Sequence, residues 1–155
     1  LDETSDVRVR LLIEITAGQG SSLGSRFEEV RDLIALVDGG ARVGTCFDTC
    51  HAHAAGYDLS KPESAKAAFD EFDRVVGSRT LGLFHLNDAK KPVGCRVDRH
   101  EHIGKGTIGL AGFRVLAKDS RFRSVPKVIE TEKSVDGDGL AFDRMNLATL
   151  KRAGF

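Results

Sequence analysis

Val43-Gly44-Thr45-Cys46-Phe47-Asp48-Thr49-Cys50-His51 is a short apolar and β-branched run that ends on a carboxylate and turns at once into imidazole-bearing sequence. A run this short, bounded by turn chemistry, reads as a buried strand. The pattern recurs on both sides: Val7 to Glu14 before it, Leu81 to His85 and Lys127 to Glu130 after it. The expected strand ends fall at 14, 48, 85 and 130, separated by 34, 37 and 45 residues, close to one strand-helix unit each. Helical patterns fill the gaps. Phe27, Val30, Leu33, Ile34 and Val37 share one face; Ala65, Ala68, Phe69, Phe72 and Val76 share another. Ser60-Lys61-Pro62-Glu63 opens the second of these helices, with Ser60 as the expected cap and Glu63 reaching back. A shorter helix is expected around Leu110 to Leu116 and a last one from about Gly139 to Arg152. Strand and helix alternate, which predicts an α/β fold: one domain over residues 1–155, with four parallel strands in chain order and helices packed outside.

The bulk composition narrows the class. The 155 residues include 41% apolar and 30% charged positions, ordinary for a globular chain. No apolar run reaches the ~20 residues of a membrane helix, so no membrane partner is expected. Leu1 to Asp6 has neither the basic region nor the apolar core of a signal peptide. The lack of an initiator Met leads us to expect residues upstream. Twenty-three basic and 23 acidic residues cancel, which excludes a surface that grips nucleic acid by charge all over; bound cations would still place positive charge where phosphate sits. Cys46, Cys50 and Cys95 have no framework spacing and read as reduced thiols of a cytoplasmic protein, nucleoid-associated if bacterial.

Each expected strand ends on a potential metal ligand: Glu14, Asp48, His85 and Glu130. Singly, such a carboxylate caps a helix or faces solvent. Four at equivalent positions suggest one site, because the carboxy-terminal strand ends of an α/β barrel converge on one face. Alternation then aims Asp48 and Cys46 inward and Phe47 outward, and likewise His85 and Leu83 inward and Phe84 outward. His51 follows Asp48 within one helical turn. Asp98 and His100, two apart, project to one side of an extended backbone. Carboxylate and imidazole donors without thiolates suit Zn²⁺, with Mn²⁺ also compatible, in a catalytic site. Cys50 is left out of the ligand set because structural zinc sites gather two or more cysteines. His53 and His102 are read as supporting or loop residues. Gly104-Lys105-Gly106-Thr107-Ile108-Gly109 matches G-x-G-x-x-G, but it follows polar sequence rather than a strand, so it reads as a loop beside the metals and not as a dinucleotide site.

With those residues in place, a family resemblance emerges. Glu14-Ile15-Thr16-Ala17-Gly18-Gln19-Gly20 resembles the E-x-T-A-G-Q-G segment of the endonuclease IV family. Asp48-Thr49-Cys50-His51-Ala52-His53-Ala54-Ala55-Gly56-Tyr57-Asp58 resembles its D-T-C-H-x-x-A-A-G-Y-D signature. His85 to Lys90, Gly94 to His100, Gly104 to Gly109 and Ile129-Glu130-Thr131 follow in the family's order, and the match runs from about Leu11 to Glu132. The chain is thereby identified as similar to the carboxy-terminal half of that family's (β/α)8 TIM barrel. The resemblance implies hydrolysis of the phosphodiester 5′ to an abasic site in DNA by clustered zinc ions, two to three in number. It implies Glu14 as a bridge between two ions, Asp48, His85 and Glu130 joining it around one, and His51, Asp98 and His100 around another. The remaining ion depends in the family on two histidines upstream of anything present here. Glu130 and Glu14 are the expected catalytic carboxylates; Arg99, Lys90 and Lys105 are the expected contacts to DNA phosphates. Ile15 departs from the family, where Asn is common.

Two other readings share this chemistry. Sugar isomerases and epimerases on the same barrel type also present Glu, Asp and His from strand ends, and fold alone does not decide function. A non-catalytic half-barrel subunit is the other. A four-stranded parallel half also leaves two bare edges and an inward face bearing Leu12, Cys46, Leu83 and Val128. The expected partner is therefore an amino-terminal half, or a second copy across the open face in a two-fold arrangement, with weak or no cleavage by this chain alone.

Overall fold

The computed structural model describes residues 6–37, 40–134 and 139–155. Leu1 to Ser5, read above as carrying no signal peptide, lie outside the described residues. Strands β1 (Leu11–Glu14), β2 (Val43–Asp48), β3 (Leu81–His85) and β6 (Lys127–Val128) form one sheet in the order β1-β2-β3-β6, every pair parallel. Helices α1 (Phe27–Leu36), α2 (Thr49–Ala55), α3 (Pro62–Val75), α4 (Ala111–Lys118) and α5 (Ala141–Ala153) fill the connections. A small antiparallel hairpin joins β4 (Asp88–Ala89) to β5 (His100–Glu101) just beyond the end of β3.

Two strands are shorter than their sequence patterns, and in both cases pairing sets the limit. Leu11 is opposite Val43, the first residue of β2, so Val7 to Arg10 have no parallel partner to continue the ladder. Arg10 instead folds its guanidinium across Gly44 to donate to the Thr80 carbonyl at 3.2 Å. At the other end of the sheet, β6 ladders only through Phe84–Lys127 and His85–Val128. Since β3 stops at His85, Glu130 lies two residues past β6, and its N–H goes to the Asn87 side chain at 2.8 Å.

The core lies on the outer face of the sheet, as alternation requires. Phe47 is central: its ring lies 5.2 Å from Phe72, 5.5 Å from Phe69 and 5.5 Å from Phe84, while Phe122 meets Phe84 at 5.4 Å. Phe47–Phe72 and Phe84–Phe122 meet edge to face and the other two pairs are tilted; edge-to-face pairs add about 0.5–1.5 kcal/mol each beyond their buried area. On the inner face, Leu12 and Leu83 are half-buried and Val128 is 45% exposed. Cys46 departs from the expectation of an exposed inward face: it is buried, with its thiol within 4.8 Å of donor atoms of Glu14 and His85.

Helix entry follows local chemistry, with one correction. The Glu29 carboxylate accepts from the N–H groups of Gly24, Ser25 and Arg26 and so starts α1. Asp48 Oδ1 accepts from His51 N at 2.8 Å and caps α2. Ser60 does not cap α3. Lys61 holds the cap position with no side-chain bond, and Pro62 fills the first helical position. The Ser60 hydroxyl is drawn instead to Asp58, whose carboxylate also receives Ser60 N and the Ser64 hydroxyl. A carboxylate two residues ahead outcompetes the backbone as a partner. No described helix is long and apolar enough to cross a membrane.

Candidate metal centre

The parallel strands bring Glu14, Asp48, His85 and the Glu130 segment to one end of the sheet. One donor atom from each lies within 4.8 Å of the others. The imidazole of His85 is the meeting point: its Nδ1 is 3.0 Å from Glu14 Oε1, 2.9 Å from Glu130 Oε2 and 3.8 Å from Asp48 Oδ2. Three carboxylates thus crowd a single ring nitrogen. One imidazolium would supply one positive charge against three negative ones, whereas a divalent cation supplies two and leaves the ring free to act as a neutral donor. The donor set therefore fits a metal ion better than a proton.

A second set lies beside it. His51 Nε2 and His100 Nε2 are 3.4 Å apart, and the Asp98 carboxylate reaches both, at 3.2 Å and 3.3 Å. The other nitrogen of each ring faces a backbone carbonyl: His51 Nδ1 is 2.9 Å from Ile15 O, and His100 Nδ1 is 3.3 Å from Glu130 O. A carbonyl accepts only, so each Nδ1 carries hydrogen, and a ring that gives up its other proton turns its Nε2 lone pair inward. Two lone pairs and a carboxylate pointing at one another call for a cation between them, and the orienting carbonyls are what imidazole ligands ordinarily use. Glu14 links the two sets, since its Oε1 is also 3.3 Å from His51 Nδ1. Asp48 borders both, with Oδ2 at 3.7 Å from His100 Nε2.

The electrostatics follow from this crowding. Burial pushes the Glu14 carboxyl up, but hydrogen bonds with His51 and His85 outweigh it and hold Glu14 down at about 2. Burial pushes the His51 imidazolium down, yet the Glu14 hydrogen bond and the charges of Asp48 and Asp98 raise it to about 9. Asp48 is fully buried, and burial drives its carboxyl up against the pull of His51 and His100. Burial pushes the Cys50 thiol up to about 12. Its Sγ is turned to the Arg99 carbonyl at 3.5 Å, so Cys50 stays a thiol although it lies near Asp48 and His100.

The hairpin carries the remaining expected residues. Lys90 and Arg99 stand opposite each other across it, joined by Lys90 N–H to Arg99 O at 2.9 Å, and both are exposed. Lys105 is exposed on the glycine loop. That loop wraps the buried carboxylate of Asp88, which accepts from Ala89, Gly104 and Ile108 N–H at 2.8–2.9 Å. A Cβ at Gly106 would collide with Asp88 Oδ1 and the Ala89 carbonyl. His53 is buried and neutral, held low by burial, with Nδ1 accepting from Leu59 N and Nε2 facing the Thr107 hydroxyl. His102 pairs with the Asn146 side chain and stacks edge-on to Phe142.

Three residues matter here that sequence reasoning left without a role. Asp88 organises the glycine loop. Asn146 on α5 is fully buried and binds Thr131, His102 and Ile103 N, tying the end of the Glu130 segment to the hairpin. Asn87 is fully buried between Asp48 and Glu130. The signal was present: Asn87 and Asp88 are polar residues directly after a buried strand, with no helix following them to cap.

Comparison with known proteins adds an independent line. Residues 1–149 match the family described as xylose isomerase-like TIM barrel. The chain is 53% identical over 142 residues to a probable endonuclease 4 of Geobacter sulfurreducens, covering 92% of this chain and 47% of that one. It is 51% identical over 141 residues to a probable endonuclease 4 of Chloroflexus aurantiacus, covering 91% and 48%. The crystal structure of endonuclease IV from Thermus thermophilus superposes with a TM-score of 0.81 at 36% identity, over 97% of this chain and 52% of that one. The chain thus spans about half the length of the relatives it matches.

Proposed function

The chain belongs to the xylose isomerase-like TIM barrel family, and from that premise we propose that it carries the metal-binding half of a DNA repair endonuclease that hydrolyses the phosphodiester 5′ to an abasic site. The observation that carries this reading is the pair of adjoining donor sets, Glu14-Asp48-His85-Glu130 and His51-Asp98-His100. The endonuclease 4 names of its relatives favour nuclease over isomerase chemistry. We assign zinc, two ions on the residues present and a third depending on residues outside this chain, with manganese as the alternative. The partner is abasic DNA.

Clustered divalent ions supply charge neutralisation for the phosphate, a bound water acidic enough to ionise near neutrality, and stabilisation of the leaving alkoxide. The chain's own residues do the rest. Glu14 links the two donor sets and fixes their spacing. Asp48 is held rigid by the backbone of α2. Glu130, with its side chain 44% exposed, is the most solvent-open carboxylate of the strand-end set and orients the attacking water. Lys90, Arg99 and Lys105 line the hairpin and glycine loop, where a DNA backbone would lie across the site. The test is a zinc-supplemented cleavage assay of the full chain on a duplex holding one abasic site, against an intact duplex and an aldose. Single-strand scission only at the abasic position supports the reading. Aldose-to-ketose conversion without scission would replace it with the isomerase reading.

A further inference from the structure

The strand-end donor set is assembled from four different segments, and one residue ties two of them together. Asn87 lies two residues past His85 and is fully buried. Its side-chain Nδ2 donates to Asp48 Oδ2 at 2.7 Å, and its Oδ1 accepts from the Glu130 N–H at 2.8 Å. No other assignment of the amide satisfies both, since a carboxylate accepts only and an N–H donates only. The Asn87 backbone is itself clamped: the Thr49 hydroxyl donates to the Asn87 main-chain carbonyl at 2.6 Å and accepts from the Asn87 main-chain N–H at 2.9 Å. Thr49 directly follows Asp48, so these two strand ends hold each other through three hydrogen bonds, and a fourth carries the hold on to Glu130.

We propose that Asn87 is the positioning residue of the strand-end metal centre, setting the rotamer of Asp48 and the approach of the Glu130 segment so that their carboxylates close on one cation together with Glu14 and His85. The geometry is specific to that centre. Asp48 offers Oδ1 to the α2 backbone and Oδ2 to Asn87, so both oxygens are fixed before a ligand arrives. The Glu130 segment has left the sheet ladder by this point, and the Asn87 amide takes the place of the missing strand partner. In the His51-Asp98-His100 set the His51 ring is oriented by Ile15 O, and the Asn87 amide reaches only the His100 ring, indirectly, through Glu130 O. Loss of the amide therefore weakens one centre more than the other. Supporting partners of this kind are worth about 10- to 100-fold in metal affinity.

The proposal rests on the two-centre reading above, and the experiment separates the two. Chelator-stripped full chain is titrated with Zn²⁺ against a chromophoric chelator, and Co²⁺ is then added to read the visible ligand-field spectrum. Wild type should bind two ions; failure to bind tightly would overturn the two-centre reading and this proposal with it. Asn87→Ala should weaken one ion about 10- to 100-fold and the other by clearly less, with an altered cobalt spectrum for the weakened class. Asn87→Asp keeps the size and the acceptor for Glu130 N–H but sets a second carboxylate against Asp48, and should weaken the same ion at least as much; it decides the matter if the alanine variant does not fold. Wild-type affinities and spectra in both variants, or an equal loss at both centres, would overturn the proposal while leaving the two-centre reading standing.

Discussion

The two donor sets are built from different materials. The strand-end set draws Glu14, Asp48 and His85 from adjacent parallel strands, where the hydrogen-bond ladder fixes their relative height. The His51-Asp98-His100 set draws one ring from the first turn of α2 and two groups from a loop and a two-residue strand. Asp48 is fully buried, whereas the Asp98 side chain is 49% exposed. The contrast separates rigidity that comes from backbone pairing from rigidity that a loop must borrow, here from the Asp88 carboxylate and the glycine loop wound around it.

The largest expected effect tests the strand-end side of that contrast. Glu130→Gln removes an exposed carboxylate without touching the core; with a complementing amino-terminal half supplied, cleavage should fall by more than about 10³-fold, roughly 4 kcal/mol of barrier, with circular dichroism and melting temperature little changed. Normal activity in that variant would remove Glu130 from catalysis. Next, Asp98→Ala should weaken the hairpin-side ion on the order of 100-fold, about 2.7 kcal/mol, as read by zinc titration, and leave the strand-end ion in place. Equal loss of both ions would show that the sets are one cooperative unit.

The third expectation concerns pH and sets the two sides against each other. In chelated protein the His51 pKa is raised from 6.5 to about 9. Its contribution to stability is therefore full below pH 6.5 and is lost as pH rises through 9, on the order of 1 to 3 kcal/mol. Glu14 is lowered from 4.5 to about 2, so its contribution is full above pH 4.5 and is lost only as pH falls through 2. Zinc requires the neutral ring, so zinc binding should release protons and tighten between pH 6.5 and 9. Thermal melts across pH, with and without chelator, would check this; a chelated protein that gains stability between pH 6.5 and 9 would contradict it. The smallest effect belongs to Asp88→Asn. Its new N–H groups oppose the backbone donors of the glycine loop, and the hairpin-side ion should weaken several-fold, about 1 kcal/mol, while the strand-end ion does not move.

How much of this was legible in the sequence follows the same division. Short apolar runs ending on Glu14, Asp48 and His85 and alternating with helical patterns are local signals, and they pointed to the parallel sheet and its order. The endpoints were not local: β1 starts at Leu11 and β6 stops at Val128 because their partners start at Val43 and stop at His85. The Ser60 cap failed for a similar reason, as Asp58 lay within reach and no propensity records a competing neighbour. The β4–β5 hairpin has no periodic pattern, since four paired residues are too few to show one. Asn87 and Asn146 act through partners 39 and 15 residues away, which spacing alone does not reveal.

The aromatic layer around Phe47 lies wholly on the helix side of the sheet, and its members, Phe69, Phe72, Phe84 and Phe122, are buried to within 1%. The opposite end, where the donors meet, is held by hydrogen bonds and charge. Those two regimes resist solvent differently. Amide protons in β2 and α3 beneath the phenylalanines should be the slowest to exchange with heavy water whether or not metal is present. Those of the Gly104–Gly109 loop and the Ile129–Thr131 segment should slow down only when an ion joins their partners, so that metal loading would be written in the exchange record as protection confined to one end of the molecule.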